Sequence, residues 1–124
     1  MKYPEVQHYF GGRFVAGGSR ALEVHNPADG SVLSRVQLGD RTTVDQAVAA
    51  ARAAFPAWSR TPVKDRVQVF YRYKALLEKH LAELSALITE EHGKVKAEAD
   101  AEIFKAIELT EFACSLPQLI AGEV

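Results

Sequence analysis

The sequence predicts an α+β chain in which short antiparallel β-hairpins are followed by three to four α-helices. Three observations carry that expectation. Up to about residue 40, short alternating runs are separated by glycine- and proline-containing turns. Beyond it, apolar residues recur at every third or fourth position, the period of a helix with one buried face. Between the two regimes stands TVDQAVAAARAAFPAW, residues 43–58, whose apolar members share one side of a helix.

Taken in order, Met1 to Gln7 is a polar tail with Pro4, expected to be loose at its start. Tyr9-Phe10, Gly11-Gly12 and Arg13-Phe14-Val15 read as two short strands joined by a two-residue turn. Gly17-Gly18-Ser19 is a second turn. Leu22 to Asn26 alternates as a half-buried strand does, and Pro27-Ala28-Asp29-Gly30 has the residues of a β-turn. Val32 to Gln37 is the returning strand.

Thr43 and Gln46 have capping-box spacing, and Asp45 stands in the expected first turn, where the helix dipole favours a negative charge. Val44, Val48, Ala51, Phe55 and Trp58 form the stripe, and the alanines around it let other elements approach closely. Pro56 is expected to end this helix near Phe55. Thr61-Pro62 reads as the start of the next, with threonine as cap and proline in the first position. Val63, Val67, Phe70, Leu77, Leu81, Leu84 and Ile88 keep the helical period, and Lys74 is the stripe position that breaks it. A bend and restart is expected near His80, and Gly93 closes the run. A last helix is expected from about Ala97 to Cys114, apolar on more than one side through Ile103, Phe104, Ile107, Leu109 and Phe112. Pro117 should end or kink it.

Lys and Arg number 15 against 16 Asp and Glu, a net charge of −1, which gives no support to nucleic-acid or anionic-membrane binding. The 48% hydrophobic content is that of a globular protein. A single cysteine, Cys114, excludes an internal disulfide framework, and the N-terminus lacks a signal-peptide pattern, so a cytoplasmic protein is expected. No apolar run has the length of a membrane span.

Residues that could carry chemistry have plain structural readings. Glu90-Glu91-His92 has no second histidine a turn away, so a metal site is not expected. Cys114 lies late in an apolar helix and reads as an inert buried thiol. The glycine pairs lack the strand–GxGxxG–helix context of a dinucleotide site, Gly93-Lys94 is not a phosphate loop, and His8, His25 and His80 stand isolated. Lys105 interrupts Ile103-Phe104-Lys105-Ala106-Ile107, where a cation reaches solvent or meets an anion. The residues alone assign no catalytic group.

Several segments together resemble the N-terminal part of the aldehyde dehydrogenase superfamily: FGGRFV, VHNPADGSVLSRV, AVAAARAAFPAWS, and TPVKDRVQVFYRYKALLEKHLAELSALITEEHGK. The wording LITEEHGK followed by EIFKAIELTEFACSLPQLIAGE is similar to the methylmalonate-semialdehyde dehydrogenase branch. The resemblance runs in order from about Tyr9 to Glu123. It implies an α/β fold of which this chain is one partial domain, residues 1–40 forming the hairpin region and 41–124 the helical region, truncated before the nucleotide-binding sheet and catalytic domain.

The chemistry implied is NAD-dependent oxidation of an aldehyde through a cysteine thiohemiacetal and a thioester, passed in this branch to coenzyme A. The family's nucleophilic cysteine, oxyanion-hole asparagine, general-base glutamate and nucleotide loop all lie downstream of this segment. No catalytic or cofactor-binding residue is therefore expected here, neither cofactor is expected to bind this chain, and the chain alone is expected to be inactive. One substrate position falls inside: where the branch carries an arginine for the substrate carboxylate, this chain has Lys105, a point cation in place of a two-pronged guanidinium.

With the apolar stripe uncovered, self-association or docking to the rest of a dehydrogenase is expected. The alternative is a stand-alone, self-associating helical interaction module. Such a module would carry polar replacements on the old buried stripe, and Val48, Phe55 and Trp58 are still apolar.

Overall fold

Gly11 and Gly12, with φ of 62° and 77°, turn the chain between β1 (His8–Phe10) and β2 (Arg13–Val15) in the computed structural model, which describes residues 1–120 and 122. Two successive positive φ values match the right-handed twist of a hairpin, which is why a glycine pair stands there. Phe10 pairs with Arg13 and His8 with Val15, and the rings of Tyr9 and Phe14 meet edge to face, centroids 5.1 Å apart. A second hairpin joins β3 (Arg20–His25) to β4 (Val32–Leu38), with Leu22 opposite Val36 and a register shift between Val24 and His25. Its turn is tied by side chains: Asn26 Oδ1 accepts from Ala28 N–H and Asp29 Oδ1 from Ser31 N–H, each at 2.9 Å.

The N-terminal tail is not loose as expected. Lys2 and Tyr3 N–H both donate to Leu33 O at 2.9 Å, Val6 bridges to Val36, and Ser34 Oγ donates to Pro4 O at 2.6 Å. The exposed edge of β4 offered unpaired backbone groups, and the tail took them.

Helix α1 (Arg41–Arg60) departs from expectation at both ends. Asp40, not Thr43, caps it: Asp40 Oδ1 accepts from Thr43 N–H at 2.8 Å and from Thr43 Oγ–H at 2.9 Å. These bonds, backbone donor first, hold the Asp40 carboxyl below its ordinary range. A carboxylate is the stronger acceptor and also meets the positive end of the dipole, so it outcompetes a hydroxyl three residues on. Asp45 consequently lies beyond the first turn, 3.8 Å from Arg41. At the other end Pro56 does not stop the helix, which runs on to Arg60. Proline removes one donor and crowds one carbonyl, and with residues 51–60 all exposed no packing opposes the local adjustment.

The chain divides into two compact units, Met1–Ser59 and Arg60–Val124. In the second, Pro62 rather than Thr61 holds the cap position of α2 (Val63–Arg66), a single turn that leads into α3 (Gln68–Lys79). His80, at φ −102° and ψ 14°, interrupts the run as expected, and α4 (Leu81–His92) begins beyond it and closes on left-handed Gly93. Helix α5 (Lys96–Cys114) follows, and α6 (Leu116–Leu119) is one turn with Pro117 near its start. The four long helices are the expected three to four, and α2 and α6 are additions.

Helices α3 and α4 both pack on α5. Their core is Leu77, Ile103 and Ile107, with Leu81, Leu84, Ile88 and Ala106 closing around it. Each leucine or isoleucine is worth about 1.5–3 kcal/mol when fully buried. The expected two-sided burial of α5 is not observed. Ala99, Ile103, Ile107, Thr110 and Cys114 are buried along one face, whereas Phe104, Leu109 and Phe112 are about 60% exposed or more. One face is enough to bind α3 and α4, and among the described residues of this unit the large side chains of the other stay open.

Candidate functional site

Lys105 lies on the open side of α5, between Phe104 and the next turn's Leu109. Its Nζ donates to Glu108 Oε2 at 2.9 Å, a pairing of residues three apart on one helix, with the two side chains 62% and 66% exposed. The cation that interrupts the apolar run is thus at the surface, in contact with an anion, on a face otherwise made of large apolar side chains.

Lys74, which broke the apolar period, has become the centre of a charge cluster. Its Nζ lies 2.5 Å from Glu78 Oε1 on its own helix and 3.3 Å from Glu111 Oε1 on α5. Hydrogen bonds to Glu78 first, and then to Glu111, hold its ammonium above the ordinary lysine range. The cluster opens on a shallow groove lined by Tyr71, Lys74, Glu111, Cys114, Ser115 and Gln118. Cys114 is a free, buried thiol, as its sequence position implied.

Two further ion pairs fasten the start of α5. Lys94 pairs with Glu102, and that hydrogen bond lowers the Glu102 carboxyl. Lys96 grips both oxygens of Asp100, at 2.8 and 2.6 Å, while the fully buried Ser85 donates to Asp100 Oδ1 at 2.6 Å. Lys96 first and Ser85 second hold Asp100 below its ordinary range. Sequence reasoning missed the Ser85–Asp100 and Lys74–Glu111 contacts, which join residues far apart in the chain. The available signal was a small polar residue, and a cation, each inside an apolar stripe.

The histidines are less isolated than expected. His80 Nδ1 lies 2.9 Å from Glu83 Oε2, and His25 has Glu23 at 3.5 Å and Gly30 O at 3.2 Å. His8 Nε2 is buried without a hydrogen-bond partner. Among the described residues no three His, Cys, Asp or Glu gather as a metal site, and no helix is long and apolar enough to cross a membrane.

The glycines singled out in the sequence take turn and helix-end roles. Gly11-Gly12 and Gly30 turn hairpins, and Gly93 ends a helix rather than opening one. Gly39 precedes α1, but Asp40 then sets a carboxylate on the Thr43 N–H where a phosphate would have to sit.

Paired hairpins leading into helices that keep one apolar face uncovered have the form of part of a larger α/β enzyme, and the comparisons agree. The model described as the aldehyde dehydrogenase family matches residues 14–124, and the chain belongs to that family. Over 118 residues it is 45% identical to malonate-semialdehyde dehydrogenase of Pseudomonas aeruginosa, covering 95% of this chain and 24% of that protein. It is 40% identical over 121 residues to the human mitochondrial methylmalonate-semialdehyde/malonate-semialdehyde dehydrogenase [acylating], covering 97% and 23%.

Among solved structures, methylmalonate-semialdehyde dehydrogenase of Oceanimonas doudoroffii superposes with a TM-score of 0.92 at 40% identity, over 98% of this chain and 25% of that one. A putative methylmalonate-semialdehyde dehydrogenase of Sinorhizobium meliloti, complexed with NAD, gives 0.91 at 35% identity, over 99% and 25%. The hairpins and helices are those of the N-terminal part of an α/β aldehyde dehydrogenase, and the chain spans about a quarter of the length of these relatives. Glu123, where the resembling stretch ends, lies outside the described residues.

Proposed function

We propose that this chain forms the N-terminal part of an NAD-dependent, coenzyme A-acylating semialdehyde dehydrogenase acting on malonate semialdehyde or its methyl homologue. The observation that carries the reading is the 45% identity to the Pseudomonas aeruginosa malonate-semialdehyde dehydrogenase across 95% of the chain. Coenzyme A as acyl acceptor is supported by the human relative's designation as acylating, and NAD by its presence in the Sinorhizobium meliloti relative. In this reading Lys105 contributes positive charge toward the substrate carboxylate, supported by its position at the surface of α5. A lysine grips a carboxylate less directionally than an arginine, so a broader range of acidic semialdehydes is accepted. A cytoplasmic setting belongs to the same reading and is supported by the single free thiol.

In this reading the segment alone does not turn over substrate, because the family resemblance places the reacting groups and the nucleotide loop outside the stretch it matches. The test is a complete Pseudomonas aeruginosa enzyme in which this chain's residues 14–120 replace the matching stretch. NAD reduction with malonate semialdehyde, dependent on coenzyme A, is expected from the chimera, and none from residues 1–124. A folded chimera that oxidises only uncharged aldehydes would sink the substrate assignment, and turnover by the 124-residue chain would sink the division of labour.

A second reading, self-association, is favoured by the exposure of Val44, Val48, Phe55 and Trp58 along α1. Apolar surface of that extent on a separate chain is covered by another copy or by the remainder of a dehydrogenase.

A further inference from the structure

Four acidic residues of α5 each have a lysine partner, and one of those lysines is Lys105. Asp100 is engaged by Lys96 and Ser85, Glu102 by Lys94, and Glu111 by Lys74. Glu108 faces Lys105, its Oε2 2.9 Å from the ammonium. We infer that Glu108 determines specificity: it is the counter-ion that an acidic substrate must compete with for Lys105. This rests on the reading of Lys105 given above.

The physical argument is one of net charge. A lone ammonium presents one positive charge to an approaching carboxylate, whereas an ammonium with a carboxylate at 2.9 Å presents a near-neutral dipole. Both side chains are about two-thirds exposed, and an ion pair of neighbours on an exposed helix is weak, so a second carboxylate can displace Glu108. The surrounding Phe104, Leu109 and Phe112 cannot hydrogen-bond an anion. Affinity on this face for an acidic rather than an uncharged aldehyde therefore depends on how much of the Lys105 charge Glu108 cancels.

The test uses the complete chimeric enzyme and compares KM for malonate semialdehyde with KM for propanal, which lacks the carboxylate. Glu108→Gln is expected to lower the first by about twofold, the size of an exposed ion pair, and to leave the second unchanged, with the gain fading as salt is added. In a Lys105→Met background the same substitution is expected to change neither. Glu108→Ala serves as a second variant should the glutamine disturb folding, monitored by the thermal midpoint. If Lys105→Met raises the KM ratio while Glu108→Gln leaves it unchanged, or raises it too, the inference about Glu108 falls and the reading of Lys105 stands. If Lys105→Met leaves the ratio unchanged, the reading of Lys105 itself fails.

Discussion

Lys74 Nζ on α3 reaches Glu111 Oε1 on α5 across 3.3 Å, while Glu78, one turn on from Lys74, holds the same ammonium at 2.5 Å. Replacing Lys74 by Met leaves two carboxylates facing each other without a cation, so the variant is expected to melt below the unmodified chain. In a double-mutant cycle Lys74→Met and Glu111→Gln should couple favourably, and additive effects would show that the bridge is idle. The pH dependence follows from the raised ammonium. Its contribution is fully present below the ordinary lysine value of 10.5 and is lost as pH rises through the higher folded value. As pH rises, the gap between the two proteins should therefore begin to close above that ordinary value.

Acid acts on the opposite end of α5. The Asp100 and Glu102 carboxyls are held below their ordinary values of 3.8 and 4.5, so their contribution is present above those values and lost as pH falls through the depressed ones. Lys96→Met removes the main cause at Asp100. It should shift acid unfolding of the helical unit to higher pH, read by far-UV circular dichroism. Superimposable acid curves would mean that Lys96 and Asp100 do not pair in solution.

Two adjacent leucines separate core from surface. Leu77 is 8% exposed within the cluster of Ile103 and Ile107, and Leu76 is 53% exposed. Leu77→Ala is expected to cost about 2–3 kcal/mol, the lower part of the range for buried leucines because the cluster is small. Leu76→Ala should stay within about 0.5 kcal/mol in the separate chain. Urea titration of both distinguishes this register from one rotated by a residue, which would reverse the order.

Gly18 and Gly12 share φ 77° but not surroundings. A Cβ on Gly18 would lie 1.9 Å from Leu38 O, whereas one on Gly12 meets nothing within 4 Å. Gly12→Ala should cost about 1–2 kcal/mol from the left-handed backbone alone. Gly18→Ala must in addition push the chain off β4, and amide exchange along β3 and β4 should accelerate in that variant only.

The uncovered stripe of α1 predicts behaviour at high concentration. Phe55 is 66% and Val48 51% exposed, one face of the helix apart by two turns. The unmodified 124-residue chain is expected to sediment faster as concentration rises, and Val48→Glu with Phe55→Glu to remain monomeric across the same range. Equal sedimentation of the two would exclude α1 as the contact.

Much of the fold was legible because it is local. Gly11-Gly12 and Pro27-Ala28-Asp29-Gly30 turn the chain whatever surrounds them, and the apolar period from Val63 to Ile88, with its break at His80, decides where helices lie. The setting of Lys105 was legible too, since a cation inside Ile103-Phe104-Lys105-Ala106-Ile107 has to reach solvent or meet an anion, and it does both.

The tertiary structure decided what depends on competition between groups distant in the chain or equally suited to one role. Asp40 and Thr43 could each cap α1, and the carboxylate prevailed because it adds charge to the same hydrogen-bond geometry. The tail from Lys2 to Val6 carries no strand pattern, yet the free edge of β4 recruited it. Lys74 is paired only because α3 packing on α5 brings Glu111 to it, and Phe104 and Phe112 are exposed only because one face of α5 satisfies α3 and α4. Periodicity shows that a side chain suits burial; whether it is buried depends on which neighbours arrive.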